Sequence, residues 1–166
     1  MKKLLLFSLF LVAFACSKED EASEQSEQTF LEKYDGVAFE RLVKPPVPAA
    51  KEINFFYNSY VFLREVNYWA DGGCNIAVEG TTPSNTCSTV MWCLEIKIVE
   101  NKSSNLILRF GDNYGYEYLF FKVDASGEML TRGGYEMVDG KLVVMEDSIF
   151  NATYTKSDAK DSDYCN

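Results

Sequence analysis

The chain reads as an all-β protein, a meander of short antiparallel strands, on three observations. Apolar and β-branched stretches recur at short spacing from Val37 to Lys156, with a turn signal between neighbouring pairs. One of them, Val90 to Val99, alternates along its length. Val90, Trp92, Leu94, Ile96 and Ile98 fall on one side, and Met91, Cys93, Glu95 and Lys97 on the other. That period of two marks a half-buried antiparallel strand. Asp139-Gly140, finally, is a strong two-residue hairpin signal between two such stretches.

Residues 1–15 stand apart from the fold. Lys2 and Lys3 precede an apolar run from Leu4 to Phe14, too short for a spanning helix, and Ala13 and Ala15 lead to Cys16. This is a secretory signal peptide. Cleavage before Cys16 fits either a lipidated cysteine or an ordinary signal-peptidase site. Cysteine parity favours lipidation, which leaves Cys74, Cys87, Cys93 and Cys165 as an even set for an oxidising compartment. Residues 16–28 form an acidic tether with no large apolar side chain. Its start, Ser17-Lys18-Glu19-Asp20-Glu21, resembles the export signal of Bacteroidota surface lipoproteins; a plain solvated linker is the other reading. The expected address is the outer membrane, lipid-anchored and exposed on the cell surface.

Residues 29–166 are one domain by length. Thr29 to Gly36 holds a single helical turn. Val37 to Val43 is the first strand, ended by Lys44-Pro45-Pro46-Val47-Pro48, where prolines cannot donate to a ladder. Ile53 to Tyr57 and Tyr60 to Trp69 are strands around an Asn58-Ser59 turn. Asp71 to Asn85 reads as a long loop by composition. After Val90 to Val99 come Leu106 to Phe110, Tyr114 to Val123, Glu128 to Arg132, Tyr135 to Val138, Lys141 to Glu146 and Ile149 to Lys156. Gly133-Gly134 is read as a break. Four cysteines allow three pairings; we expect Cys74–Cys87 to close the loop and Cys93–Cys165 to pin the tail.

The opening Thr29 to Phe39, the chain of hairpins and the ending Ala152-Thr153-Tyr154-Thr155-Lys156 resemble the lipocalin-like domain of small Bacteroidota surface lipoproteins. In Gly36-Val37-Ala38-Phe39, a phenylalanine stands one place later than the tryptophan of the lipocalin Gly-x-Trp. The resemblance implies an up-and-down antiparallel β-barrel after a signal peptide and flexible tether, and such domains mostly lack a known activity.

The composition excludes several chemistries. There is no histidine, which removes His-based triads, His metal sites and imidazole acid–base work. No pair of carboxylates is singled out by spacing. Asp112 to Glu117 is far shorter than a calcium loop, so neither a metal nor a cofactor is expected. Loss of Lys2 and Lys3 leaves fourteen basic against 25 acidic residues and takes the formal charge from −9 to −11. Such a surface disfavours nucleic acid.

Aromatics are the groups left in excess. Tyr114, Tyr116, Tyr118 and Phe120 share one face of a strand, with Trp92 on a neighbour. They either fill the barrel or line a site for a small apolar or glycan ligand; core packing is favoured. Asp147-Ser148-Ile149 resembles Bacteroidota O-glycosylation sites at Ser148, against an ordinary turn in which Ser148 bonds local backbone. The expected function is a non-catalytic accessory or interaction lipoprotein docking an outer-membrane partner, with a barrel that binds a small apolar or glycan ligand as the alternative.

Overall fold

The computed structural model describes residues 27–43, 50–82, 95–112 and 115–165. The expected signal peptide, Cys16, Cys87, Trp92, Cys93 and Tyr114 lie outside the described residues, as does the side chain of Tyr116. A one-turn helix, α1 (Phe30–Lys33), precedes ten strands. These are β1 (Ala38–Val43), β2 (Ala50–Phe56), β3 (Val61–Trp69), β4 (Cys74–Thr81), β5 (Glu95–Lys102), β6 (Asn105–Asp112), β7 (Gly115–Val123), β8 (Met129–Val138), β9 (Lys141–Met145) and β10 (Ala152–Ser157).

Every ladder is antiparallel, and the sheet runs β4-β3-β2-β1-β10-β8-β7-β6-β5. The path is the up-and-down meander in chain order, joined where β10 meets β1. Its two ends, β4 and β5, approach each other and nearly close the barrel. β9 and β10 both pair with the edge of β8 that faces away from β7. Gly134 lies opposite Met145, and Arg132 opposite Ala152. They are in effect one strand, interrupted by a six-residue bulge at 146–151.

Local chemistry starts the fold. Thr29 and Glu32 form a capping box: the Thr29 hydroxyl accepts from the Glu32 N–H, and the Glu32 carboxylate accepts from the Thr29 N–H at 2.8 Å. Those bonds hold the Glu32 carboxyl below its ordinary value, the backbone bond most. The Leu31 N–H donates to the Asn101 side chain at 3.1 Å and ties the helix to β5. Phe30 then caps one end of the barrel. Its ring sits 5.1 Å from Phe56, which meets Phe121 of β7 edge-on at 5.4 Å. Phe39 packs against Tyr34 and Phe56. Side chains from α1 and from β1, β2, β3, β5, β6, β7, β8 and β10 meet in this single cluster.

Three sequence expectations are corrected. Cys74 to Thr81, read as loop, is a strand: it pairs with β3 through two register shifts. Gly80 fits there because the Phe62 ring covers it, at 2.6 Å from where a Cβ would stand. Gly133-Gly134 does not break a strand but lies inside β8. The Phe120 ring covers Gly133 and the bulge folds back onto Gly134, so both lack a side chain for reasons of space. The third correction concerns the disulfide. Cys74 bonds Cys165 across a Cα–Cα distance of 5.4 Å, which overturns both expected pairings, Cys74–Cys87 and Cys93–Cys165.

That bond closes a strap. The tail after β10 crosses the outer face of β1–β3 and covers Ala38, Ile53, Phe55 and Val66. Tyr164 packs tilted against Phe55 and edge-on against Tyr68, and Arg64 bonds Asp161 at 2.5 Å. With core on one face and tail on the other, β2 is buried on both sides, so its buried residues run almost without alternation.

Candidate functional site

Toward β10 the interior turns from apolar to ionic. On β1 and β2, Arg41 lies opposite Glu52, and its Nε donates to Glu52 Oε2 at 2.9 Å. Arg132 of β8 bridges two carboxylates, with Nη1 at 2.8 Å from Glu52 and 2.6 Å from Glu65 of β3. Its Nε donates to the Phe150 carbonyl at 3.1 Å. The Tyr154 hydroxyl donates to Glu52, and both guanidinium groups lie over the Tyr154 ring, at 5.2 and 5.3 Å. Two positive and two negative groups therefore balance. Asn54, fully buried on β2 opposite Glu65, has no partner for either amide atom among the described residues.

Burial raises the Glu65 carboxyl above its usual value; Arg132 opposes this and Glu52 adds to it. Burial alone would lower the Arg132 guanidinium, but the surrounding carboxylates raise it on balance. The Tyr154 hydroxyl is pushed up, mainly by burial. This arrangement locks the cluster: each carboxylate is held by an arginine.

A pH effect follows with a definite sign. Folding favours the protonated Glu65 carboxyl. From the unfolded value of about 4.3 up to its raised folded value, the native chain holds the extra proton. This stabilisation is present at low pH and is lost as pH rises through that window. Urea unfolding is expected to show Glu65→Gln gaining on the wild type from acid to neutral pH. A difference that stays flat with pH would contradict it.

The outer wall is of another kind. On β7, Leu119, Phe121 and Val123 enter the core, so Tyr118 and Phe120 face outward. This corrects the expectation that they fill the barrel. Both faces of the strand are apolar, and period two alone does not choose between them. Phe120 lies over Gly133 with its centroid 4.8 Å from Tyr135. An open cleft of about 550 Å³ borders Phe120, Thr131, Arg132, Val144, Asn151 and Thr153.

Beside it, the β8–β9 hairpin exposes Met137, Val138, Val143, Val144 and Met145, and Ile149 on the bulge is 89 % exposed. Ser148 is half-buried in that bulge, where its hydroxyl accepts from the Phe150 N–H at 3.2 Å. Among the sequence-selected residues, the structure brings together Tyr118 and Phe120. It adds Arg41, Glu52, Glu65, Arg132 and Tyr154, which no local spacing signalled. Among the described residues, no group of three acidic or cysteine side chains is placed to hold a metal. No known protein family, curated protein or solved structure matches this chain.

Proposed function

We propose that this protein is a non-catalytic accessory lipoprotein, anchored at the outer membrane through Cys16 and docking a larger membrane partner with its β8–β9 hairpin. The observation that carries this reading is the contrast between inside and outside. Aromatic and aliphatic side chains from nearly every strand fill the interior, while a run of large apolar residues stays exposed on the hairpin and bulge. Scattered exposed apolar residues are ordinary on a protein surface; several of them gathered on one hairpin and its bulge mark a contact site. The filled interior favours this reading over a barrel that holds a small apolar or glycan ligand in its lumen. The signal peptide and cysteine parity support the anchor.

A photo-cross-linking residue at Val143, in the native host, is expected to give one discrete larger adduct in the outer-membrane fraction. The same residue at Lys51 of β2, three strands along the sheet from β8, should give none. Cys16→Ala should release the chain from the detergent phase and abolish the adduct. Equal cross-linking from both positions, or none from Val143, would overturn the docking reading. Unchanged partitioning of Cys16→Ala would overturn the anchor.

A further inference from the structure

The outward residues of β7, β8, β9 and β10 form a grid, and we propose that the cleft within it binds a neutral saccharide. The registers set three rows. Tyr118 lies opposite Tyr135, which lies opposite Val144, giving an apolar row. Lys122 lies opposite Thr131, which lies opposite Thr153, giving a row of donors and acceptors. Between them runs Phe120 opposite Gly133, with the Asn151 side-chain oxygen 2.9 Å from where a Gly133 Cβ would stand. The Phe120 ring and the Asn151 oxygen take the space of the missing Gly133 side chain, so the ring lies down against the wall.

That layout suits a sugar ring, which has an apolar C–H face and a rim of hydroxyls. The Phe120 ring is fixed before any ligand arrives, by Gly133 beneath it and Tyr135 beside it. A pre-positioned aromatic loses little freedom on binding. Asn151 is fixed too: its amide donates to the Met145 and Glu146 carbonyls, and its oxygen accepts from the Gly134 N–H. The hydroxyls of Thr131 and Thr153, by contrast, have no hydrogen-bond partner among the described residues. They are free to meet sugar hydroxyls.

Charge argues for a neutral ligand. Arg132, at the cleft, is already satisfied by Glu52 and Glu65, and so is Arg41 by Glu52. The chain's formal net charge of −9 disfavours an anion. The cleft and the docking hairpin share Val144, but Val143 does not line the cleft, so a substitution at Val143 separates the two roles.

The test is retention of the full chain, in detergent, on an array carrying neutral and acidic glycans. Neutral glycans are expected to bind. The near-isosteric double variant Thr131→Val/Thr153→Val should weaken that binding about tenfold, a loss of about 1.4 kcal/mol, with an unchanged unfolding curve. Phe120→Leu should weaken it as well. Val143→Lys, which breaks the docking face, should leave it intact. Retention of acidic glycans only, of no glycan, or of neutral glycans equally by the threonine double variant would overturn the proposal.

Discussion

Arg132→Met is expected to cost the fold about 3–5 kcal/mol, because it removes one partner from a buried ionic cluster and leaves the others charged. Glu52 and Glu65 both lean on Arg132 inside the barrel, and each side chain of the three is largely out of solvent. Methionine matches much of the volume of the stem but supplies no charge. Only Arg41 would remain to balance two carboxylates, and it reaches Glu52 alone. In chemical denaturation the midpoint should fall with an unchanged slope. The triple variant Arg132→Met/Glu52→Leu/Glu65→Leu should recover most of the loss, since a buried ionic group replaced as a whole by apolar residues is often neutral or better. A single-variant loss below about 1 kcal/mol, the scale of an exposed pair, would show that water reaches the cluster.

Cys165→Ser is expected to cost about 2–5 kcal/mol, the usual range for a native disulfide in a small domain. The Cys74–Cys165 bond closes a loop across a sequence separation of 91 residues, so its removal frees the unfolded chain substantially. The folded state should change as well. Without the bond, the strap over Ile53, Phe55 and Val66 is held by Tyr164 packing and by the Arg64–Asp161 pair. Local opening there should raise hydrogen exchange in β2 and β3 and bring in an apolar dye, while β6 and β7 stay protected. Reduction of the wild type should reproduce both effects. Exchange that rose equally in all strands would mean that the strap does not open as a separate unit.

These two sites differ from the strands in how far apart their parts lie in the chain. Turns are local. Asp139-Gly140 adopts positive φ at both residues, as a two-residue hairpin turn requires, and four neighbouring residues suffice to specify it. The same holds for the capping box at Thr29 and for the inward pattern of Ile96 and Ile98 on β5. Hence the all-β meander, its order and most strand positions were legible in the sequence. Where the reading failed, a distant ring explained the local residues: Phe62 over Gly80 and Phe120 over Gly133 turn apparent breaks into strand interior.

The sequence by itself determined the absence of histidine chemistry, which is a matter of composition, and the succession of hairpins, because each turn is written within a few adjacent residues. Only the tertiary structure decided which face of β7 turns inward, which cysteine meets Cys74, and that Glu52 would meet Tyr154, 102 positions away, within the barrel. Alternation names two faces of a strand without saying which one is covered. Barrel closure and the returning tail make that choice, by burying whichever contacts long-range pairing brings together.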